Sequence, residues 1–376
     1  MANYYLHFNE DLEQSYPYWH IGALGKARLD HEHAARDIGF REIDAFVYDW
    51  ETEPDEVLDA RFDGIFAGLK RNDNVVVAWP ILPTRPNRWV QKMIQHIHHF
   101  GAKLIFWFDD VETWRHPAQL PANATAADFE HYKNTDALAV EARFIALADG
   151  VILHSPQMRD RLAKQLAIAG LELPAAKSYV GPGGYFADYY QEPRQNHQGL
   201  DYSGSLYKAQ FLLQLPNTVH VHAFGDVPPD FPEDKGDVVD FAGYVDPEAI
   251  VHMLKGSFGL VWDSETYPGV TGVLGDYVRY NTPTKVGQYL AANEPIIVWS
   301  QSALADFVVA NHVGYAIDDL TQLPQIVNET SDETYAQLQG DVQRISPLIR
   351  SGFYFQDALF DVIRQVQDRW HPQYRN

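Results

Sequence analysis

Short apolar runs alternate with amphipathic stretches along nearly the whole chain, and no other feature constrains its fold as much. Strands are read at 4–8, 42–48, 74–79, 103–108, 150–154 and 178–180, with helices between them at 25–38, 55–69, 88–100, 136–147 and 156–169. A parallel neighbour is reached only through a crossover, so strand, helix, strand in this order predicts parallel pairing. After Gly181-Pro182-Gly183-Gly184 comes a polar stretch without periodicity. Residues 186–199 are therefore read as a linker between a first domain, 1–185, and a second, 200–352. The second set begins at Leu200-Asp201-Tyr202-Ser203-Gly204-Ser205. Its further strands are expected at 220–224, 238–242, 259–262, 295–299 and 314–317, and its helices at 247–254, 284–292, 302–311 and 330–345. A final helix begins near Phe355 in the segment 353–376. The expected fold class is α/β, with two doubly wound Rossmann-like domains facing a central cleft and ligands at the carboxyl ends of the strands.

At 376 residues the chain is long enough for two cores, and 46% hydrophobic with 21% charged residues is a globular composition. No run approaches the roughly 18 apolar residues that span a bilayer. The opening Met1-Ala2-Asn3-Tyr4-Tyr5 has no basic region, so no signal peptide is read. With no cysteine, disulfides and thiolate metal sites are excluded, and a cytoplasmic location is expected. A net charge of −22 excludes general binding to nucleic acid or anionic lipid, because neutralising phosphates takes clustered Lys and Arg. An anionic ligand must be held by a few placed cations.

One loop offers such a cation. In Tyr280-Asn281-Thr282-Pro283-Thr284-Lys285, Thr282 reads as an N-cap and Pro283 as the first helical residue. The free N–H groups and dipole at Thr284 and Lys285 favour a phosphate, and Lys285 adds a full charge. An ordinary capped helix with a surface lysine fits the same residues equally well. After the first strand of the second domain, Gly204 and Ser205 lead to Lys208, where Gly204 allows close backbone approach to a phosphate. A tight turn with a solvated lysine is the plainer reading. Tyr244, between a strand end and the helix start Asp246-Pro247, is placed to stack on a base or simply to pack.

Trp262-Asp263-Ser264-Glu265 leaves another strand end with two acids, but without a neighbouring histidine it is a poor metal site, and no metal is expected. Asp276 is read as solvated rather than as a ribose contact. In the first domain Trp107-Phe108-Asp109-Asp110 puts paired acids at a strand end, where one can act as a general base or both as loop caps. His96, His98 and His99, and equally His31 and His33, are read as surface residues rather than metal ligands.

Taken together these segments resemble bacterial glycosyltransferases of the two-Rossmann-domain type known as GT-B. More narrowly, they resemble glucosyltransferase 3 of serine-rich-repeat adhesin glycosylation and the beta-1,6-galactofuranosyltransferase group. The resemblance rests on Gly22 with Lys26-Ala27-Arg28, Phe108-Asp109-Asp110, and 148–155 with Met158. It continues through 258–262, Gly275-Asp276-Tyr277, Tyr280-Asn281 with Pro283 and Lys285, Ala305-Asp306-Phe307, and Pro347 with Arg350 and Gly352. It implies UDP contacts at Lys208, Tyr244 and Lys285, supported by Thr284, Asn281, Gly204 and Ser205. Lys208 stands where the adhesin enzyme has an arginine, so bidentate phosphate geometry is not retained. The resemblance further implies Asp110, with Asp109 beside it, as base, a sugar-shaping loop at Gly22 and Ala23, and a final helix that returns to the first domain.

The expected activity is inverting, metal-independent transfer of a hexose from a UDP-sugar, UDP-glucose first, with no cofactor. The expected acceptor is a GlcNAc-modified adhesin or a lipid-linked glycan, and the enzyme is expected to be a homo-oligomer. A galactofuranosyl or other hexosyl transferase of capsule synthesis is the alternative, beside a nucleotide-sugar epimerase and a non-catalytic nucleotide-sugar-binding subunit.

Overall fold

A computed structural model of the protein describes residues 1–10, 22–48, 50–81, 88–115, 136–187, 194–228, 231 and 238–367. It divides into two compact units. Unit 1 takes the described residues of 1–10, 31–180 and 355–367, and unit 2 those of 22–30 and 181–354.

Unit 1 is built from β1 (Asn3–Glu10), α1 (Ala23–Asp37, from His31 onward), β2 (Arg41–Val47), α2 (Asp55–Phe66), β3 (Asn74–Trp79) and α3 (Arg88–His99). These are followed by β4 (Lys103–Phe108), α4 (Glu112–Arg115), α5 (Asp136–Ala146), β5 (Gly150–Leu153), α6 (Pro156–Ile168) and β6 (Ala176–Tyr179). The six strands form one parallel sheet in the order β2-β1-β3-β4-β5-β6, with β1 and β2 in register from Tyr4 opposite Arg41 to Glu10 opposite Val47. Leu104 to Phe108 are all buried, as befits a central strand covered on both faces. Helix α3 turns Trp89, Val90, Met93, Ile94 and Ile97 inward at helical spacing. Helix α6 starts on a capping serine, since Ser155 Oγ accepts the Met158 N–H at 3.0 Å and Pro156 follows at the first position.

Unit 2 contains β7 (Leu200–Ser203), β8 (Val221–Phe224), β9 (Val239–Gly243), β10 (Phe258–Val261), α7 (Val273–Tyr277) and α8 (Thr284–Ala291). It continues through β11 (Ile296–Trp299), α9 (Ala305–Asn311), β12 (Gly314–Ile317), α10 (Leu323–Glu329) and α11 (Asp332–Arg350). Its parallel sheet runs β12-β11-β10-β7-β8-β9. Alternate residues of β10 and β11 enter different cores, Leu260 and Ile297 on one face, Val261 and Val298 on the other. The sheet is therefore covered on both sides. Helix α12 (Phe353–Gln367) belongs to unit 1 from Phe355 onward. Ser178 Oγ donates to Ala358 O at 2.8 Å, and Gln365 exchanges hydrogen bonds with the Lys177 backbone. Residues 368–376 of the segment read as a final helix lie outside the described residues.

Three local expectations give way. The helix expected at 247–254 is reduced to a 3-10 turn at Ile250–His252. Asp246 closes its own turn by accepting the Glu248 N–H at 2.8 Å, and the Lys255 and Gly256 amides donate to Asp201 Oδ2 instead of extending a helix. Helix α11 runs on through Pro347 to Arg350, although it was read to end at 345. The stretch read as a linker is tied into unit 2 in its described parts. Phe186 N donates to Asp30 Oδ2 at 3.2 Å, and Arg194 bonds Gln339 Oε1 through its backbone and the Ala292 carbonyl through Nε. Residues 188–193 of that stretch lie outside the described residues.

Candidate functional site

Numbered from its own first strand, the sheet of unit 2 runs 6-5-4-1-2-3, the doubly wound order in which ligands bind where strand direction of progression reverses. That switch point lies between β7 and β10. Gly204 leaves the carboxyl end of β7, and Trp262-Asp263 leaves that of β10. Two lysines meet there. Lys285 Nζ lies 2.9 Å from Asp263 Oδ1, and Lys208 Nζ lies 3.1 Å from Asp263 Oδ2. Tyr202 donates its hydroxyl to Asp263 Oδ1 at 3.1 Å, and the Lys285 ammonium sits 4.2 Å from the Tyr202 ring centre. Lys285 and Asp263 are each 5% exposed, so both charges are held largely out of water.

Burial lowers Lys285 to about 8, with Asp263 opposing the fall. Burial resists ionisation of Asp263 too, but Lys208 and Lys285 together hold its carboxyl below the usual range. Burial, with Asp263 nearby, pushes Tyr202 well up, so it remains a hydroxyl donor. The result is one carboxylate between two cations, a net positive site matched to an anion.

Backbone geometry brings these groups together. Gly204 has φ +142°, and a Cβ on it would lie 3.6 Å from the end of the Lys285 side chain. On the next strand, a Cβ on Gly225 would fall 1.9 Å from Gly204 O, so only glycine lets the two turns approach. Lys285 is the second residue of α8. The expected cap differs: Thr282 donates its hydroxyl to Gly181 O at 2.9 Å, and Pro283, without a side-chain cap, precedes the first helical residue Thr284. Thr282 therefore anchors the 181 turn, while the first N–H groups of α8 are left to Thr284 and Lys285.

The other expected site residues are distributed around this pair. Ser205 is exposed at the start of a 3-10 turn, Leu206–Lys208. Asn281 is half-buried, and its buried Oδ1 has no hydrogen-bond partner among the described residues. Tyr244 follows the edge strand β9 and is 48% exposed, which suits a stacking face better than a packing residue. Gly22 and Ala23 open α1, where Gly22 O accepts the Lys26 N–H at 3.1 Å. They were read into the first domain, but residues 22–30 group with unit 2. The cause is a buried staple. Lys26 Nζ bonds Asp30 Oδ1 at 2.7 Å, the Phe186 carbonyl at 2.9 Å and Glu248 Oε1 at 2.9 Å.

In unit 1 the paired acids differ in environment. Asp110 Oδ2 accepts from Arg115 at 2.6 Å, and the same guanidinium reaches Glu112 at 3.2 Å. Asp109 is buried, with Oδ1 3.3 Å from His31 Nδ1 and its carbonyl 2.8 Å from His154 Nε2. His31 was read as a surface residue; it is stacked on Trp107 at 4.1 Å and set edge-on to Phe355 at 4.5 Å. Burial lowers His154, keeping the imidazole neutral. Near α4, the buried Glu141 accepts the Thr113 hydroxyl at 2.5 Å, and burial raises its carboxyl to about 7. His96 and His98 are engaged with Lys92 O and Asp149. Among the described residues no three His, Cys, Asp or Glu side chains converge as a metal site. No described helix is long and apolar enough to cross a membrane.

Sequence reasoning missed the part played by Asp263, weighed only as a metal ligand, and by Tyr202 and Lys26. A carboxylate at a strand end in register with two lysines elsewhere carries no local signature.

Two parallel doubly wound units, one with a lysine pair at its switch point, suit a glycosyltransferase but do not by themselves define one. The match to family models makes the assignment specific: residues 13–166 match the N-terminal domain and residues 200–362 the C-terminal domain of the glucosyltransferase 3-like family, and the chain belongs to that family. It is 29% identical over 228 residues to a beta-1,6-galactofuranosyltransferase of Escherichia coli, covering 60% of this chain and 66% of that protein. It is 26% identical to glucosyltransferase 3 of Streptococcus gordonii, covering 90% of this chain and 94% of that one. Against the crystal structure of LpCGTa in complex with UDP the TM-score is 0.40 at 12% identity, over 98% of this chain and 99% of that one.

Proposed function

We propose that this glycosyltransferase moves a hexose from a UDP-hexose, with UDP-glucose the favoured donor, to a sugar hydroxyl of a GlcNAc-modified serine-rich-repeat adhesin. The observation that carries the donor half is the convergence of Lys208 and Lys285 at the switch point of unit 2. In this reading the two ammoniums and the first N–H groups of α8, at Thr284 and Lys285, neutralise the diphosphate. Gly204 and Ser205 let the backbone approach it, Tyr244 stacks on the uracil, and Asn281 contacts the donor through Oδ1. The acceptor oxygen attacks the anomeric carbon as the bond to the β-phosphate oxygen breaks, and the proton passes to a base. UDP leaves carrying the bonding pair, and the anomeric configuration inverts. Asp110 is the favoured base and Asp109 the second candidate, with Gly22 and Ala23 shaping the sugar pocket. Two lysines already supply the charge that a metal supplies elsewhere, so transfer is proposed to be metal-independent. A cytoplasmic homo-oligomer belongs to the same proposal.

The similarity to a galactofuranosyltransferase favours one further reading, hexosyl transfer to a capsule or exopolysaccharide acceptor. A panel of UDP-sugars, offered with a GlcNAc-peptide and with a lipid-linked glycan, tests both. Transfer of glucose to the peptide is the expected result. Transfer to the glycan alone selects the second reading, and no turnover of any UDP-sugar with either acceptor rejects both.

A further inference from the structure

Asp263 is an unusual neighbour for an anion site. It is buried, it faces the place assigned to the diphosphate, and it already engages both lysines at 2.9 and 3.1 Å. A carboxylate and a phosphate draw on the same N–H donors and repel each other at close range. Removing Asp263 altogether would leave two ammoniums side by side, one of them almost without solvent, and a desolvated lysine gives up its proton. The groups that face Asp263 come from three elements: Tyr202 on β7, Lys208 on the following turn, and Lys285 on α8. Tyr289, also on α8, accepts the Ser203 N–H on its hydroxyl oxygen at 2.7 Å, so it is committed elsewhere.

We infer that Asp263 stands in for the donor's phosphate, holding Lys208 and Lys285 together and charged before a nucleoside diphosphate binds, and competing with it for them afterwards. This rests on the donor site proposed above and makes Asp263 a positioning residue that acts through the lysines. Two consequences oppose each other. Without the carboxylate the incoming diphosphate meets no competitor, so it binds more tightly wherever Lys285 stays protonated. Without it Lys285 also loses the charge that sustains its own protonation, so binding is lost at a lower pH.

The test is calorimetric titration of UDP into the full chain and its Asp263→Asn variant from about pH 6 to about pH 9, spanning the Lys285 transition. Binding by the variant should be several-fold tighter at the acid end and weaker at the alkaline end, with its midpoint lower by about one pH unit. Affinity curves that cross are the expected result. A variant weaker by the same factor at every pH, or indistinguishable from the wild type, overturns the inference while leaving the donor site intact. Should the Asn variant not fold, Asp263→Ser, neutral and smaller, is titrated in its place and read by the same criteria. A wild type that does not bind UDP at all overturns the donor reading together with the inference.

Discussion

Lys285→Met is the most informative single substitution, because the methionine keeps the aliphatic stem and removes only the ammonium. One charge-assisted contact to a desolvated phosphate is worth about 2–3 kcal/mol, so UDP affinity should fall roughly 30- to 150-fold. The same change has a second signature in stability. Lys285 lies at about 8 in the folded chain against an ordinary 10.5. Below the lower value it is charged in both states; between the two values the folded protein releases its proton first, so stability rises with pH. Relative to the methionine variant, the wild type should gain up to about 3 kcal/mol across that window and lose it again as pH falls through about 8. Asp263 keeps Lys208 and Tyr202 as partners, so the variant should still fold. Calorimetry with UDP and urea unfolding at several pH values read the two effects separately. Unchanged UDP affinity would remove Lys285 from the site, and parallel stability curves would refute its buried charge.

Asp110→Asn should preserve UDP binding while lowering turnover by ~10²–10⁴, as loss of a general base does; near-normal turnover would make Asp110 only the partner of Arg115. Turnover should persist in excess EDTA, and chelation that stops it with Mg²⁺ or Mn²⁺ restoring it would reopen the Asp263 region as a metal site. Glu141→Gln should become more stable relative to the wild type as pH rises from 4.5 to about 7. The raised carboxyl favours the fold fully below 4.5 and loses that advantage through about 7, a swing of up to about 3 kcal/mol. Urea titrations at acid and neutral pH that show no such divergence would refute the buried carboxyl.

Strand and helix positions were legible wherever burial imposed a period. Residues 74–79 and 103–108 were read to the residue, because a strand buried on both faces is a continuous apolar run between polar turns. Helices decided by side-chain competition were not. Asp246 could cap a helix or close a turn, and only Asp201, more than forty positions away, shows which by taking the Lys255 and Gly256 amides. Helices α7 and α10 span five and seven residues, too few to display a period. At the site, Lys208 and Lys285 stood out because local turns place each at a strand or helix terminus. His31 did not, since nothing in its own segment announces Trp107, Asp109 and Phe355 around it.

The buried staple at Lys26 bears on how the chain is made. Its ammonium bonds a carbonyl 160 positions later, and Asp30 bonds the amide of that same residue 156 positions later. Both partners belong to unit 2, most of which is synthesised long after α1 has left the ribosome. The first helix must therefore wait, its lysine and aspartate solvated, until the chain beyond Phe186 exists to receive them. Such distant closure slows folding and orders it, since unit 2 cannot be completed as a contiguous fragment. Residues 181–354 expressed alone would leave the Phe186 carbonyl and amide without those partners. Supplying residues 22–30 as a separate peptide is then a direct way to ask whether synthesis order or final contacts govern assembly.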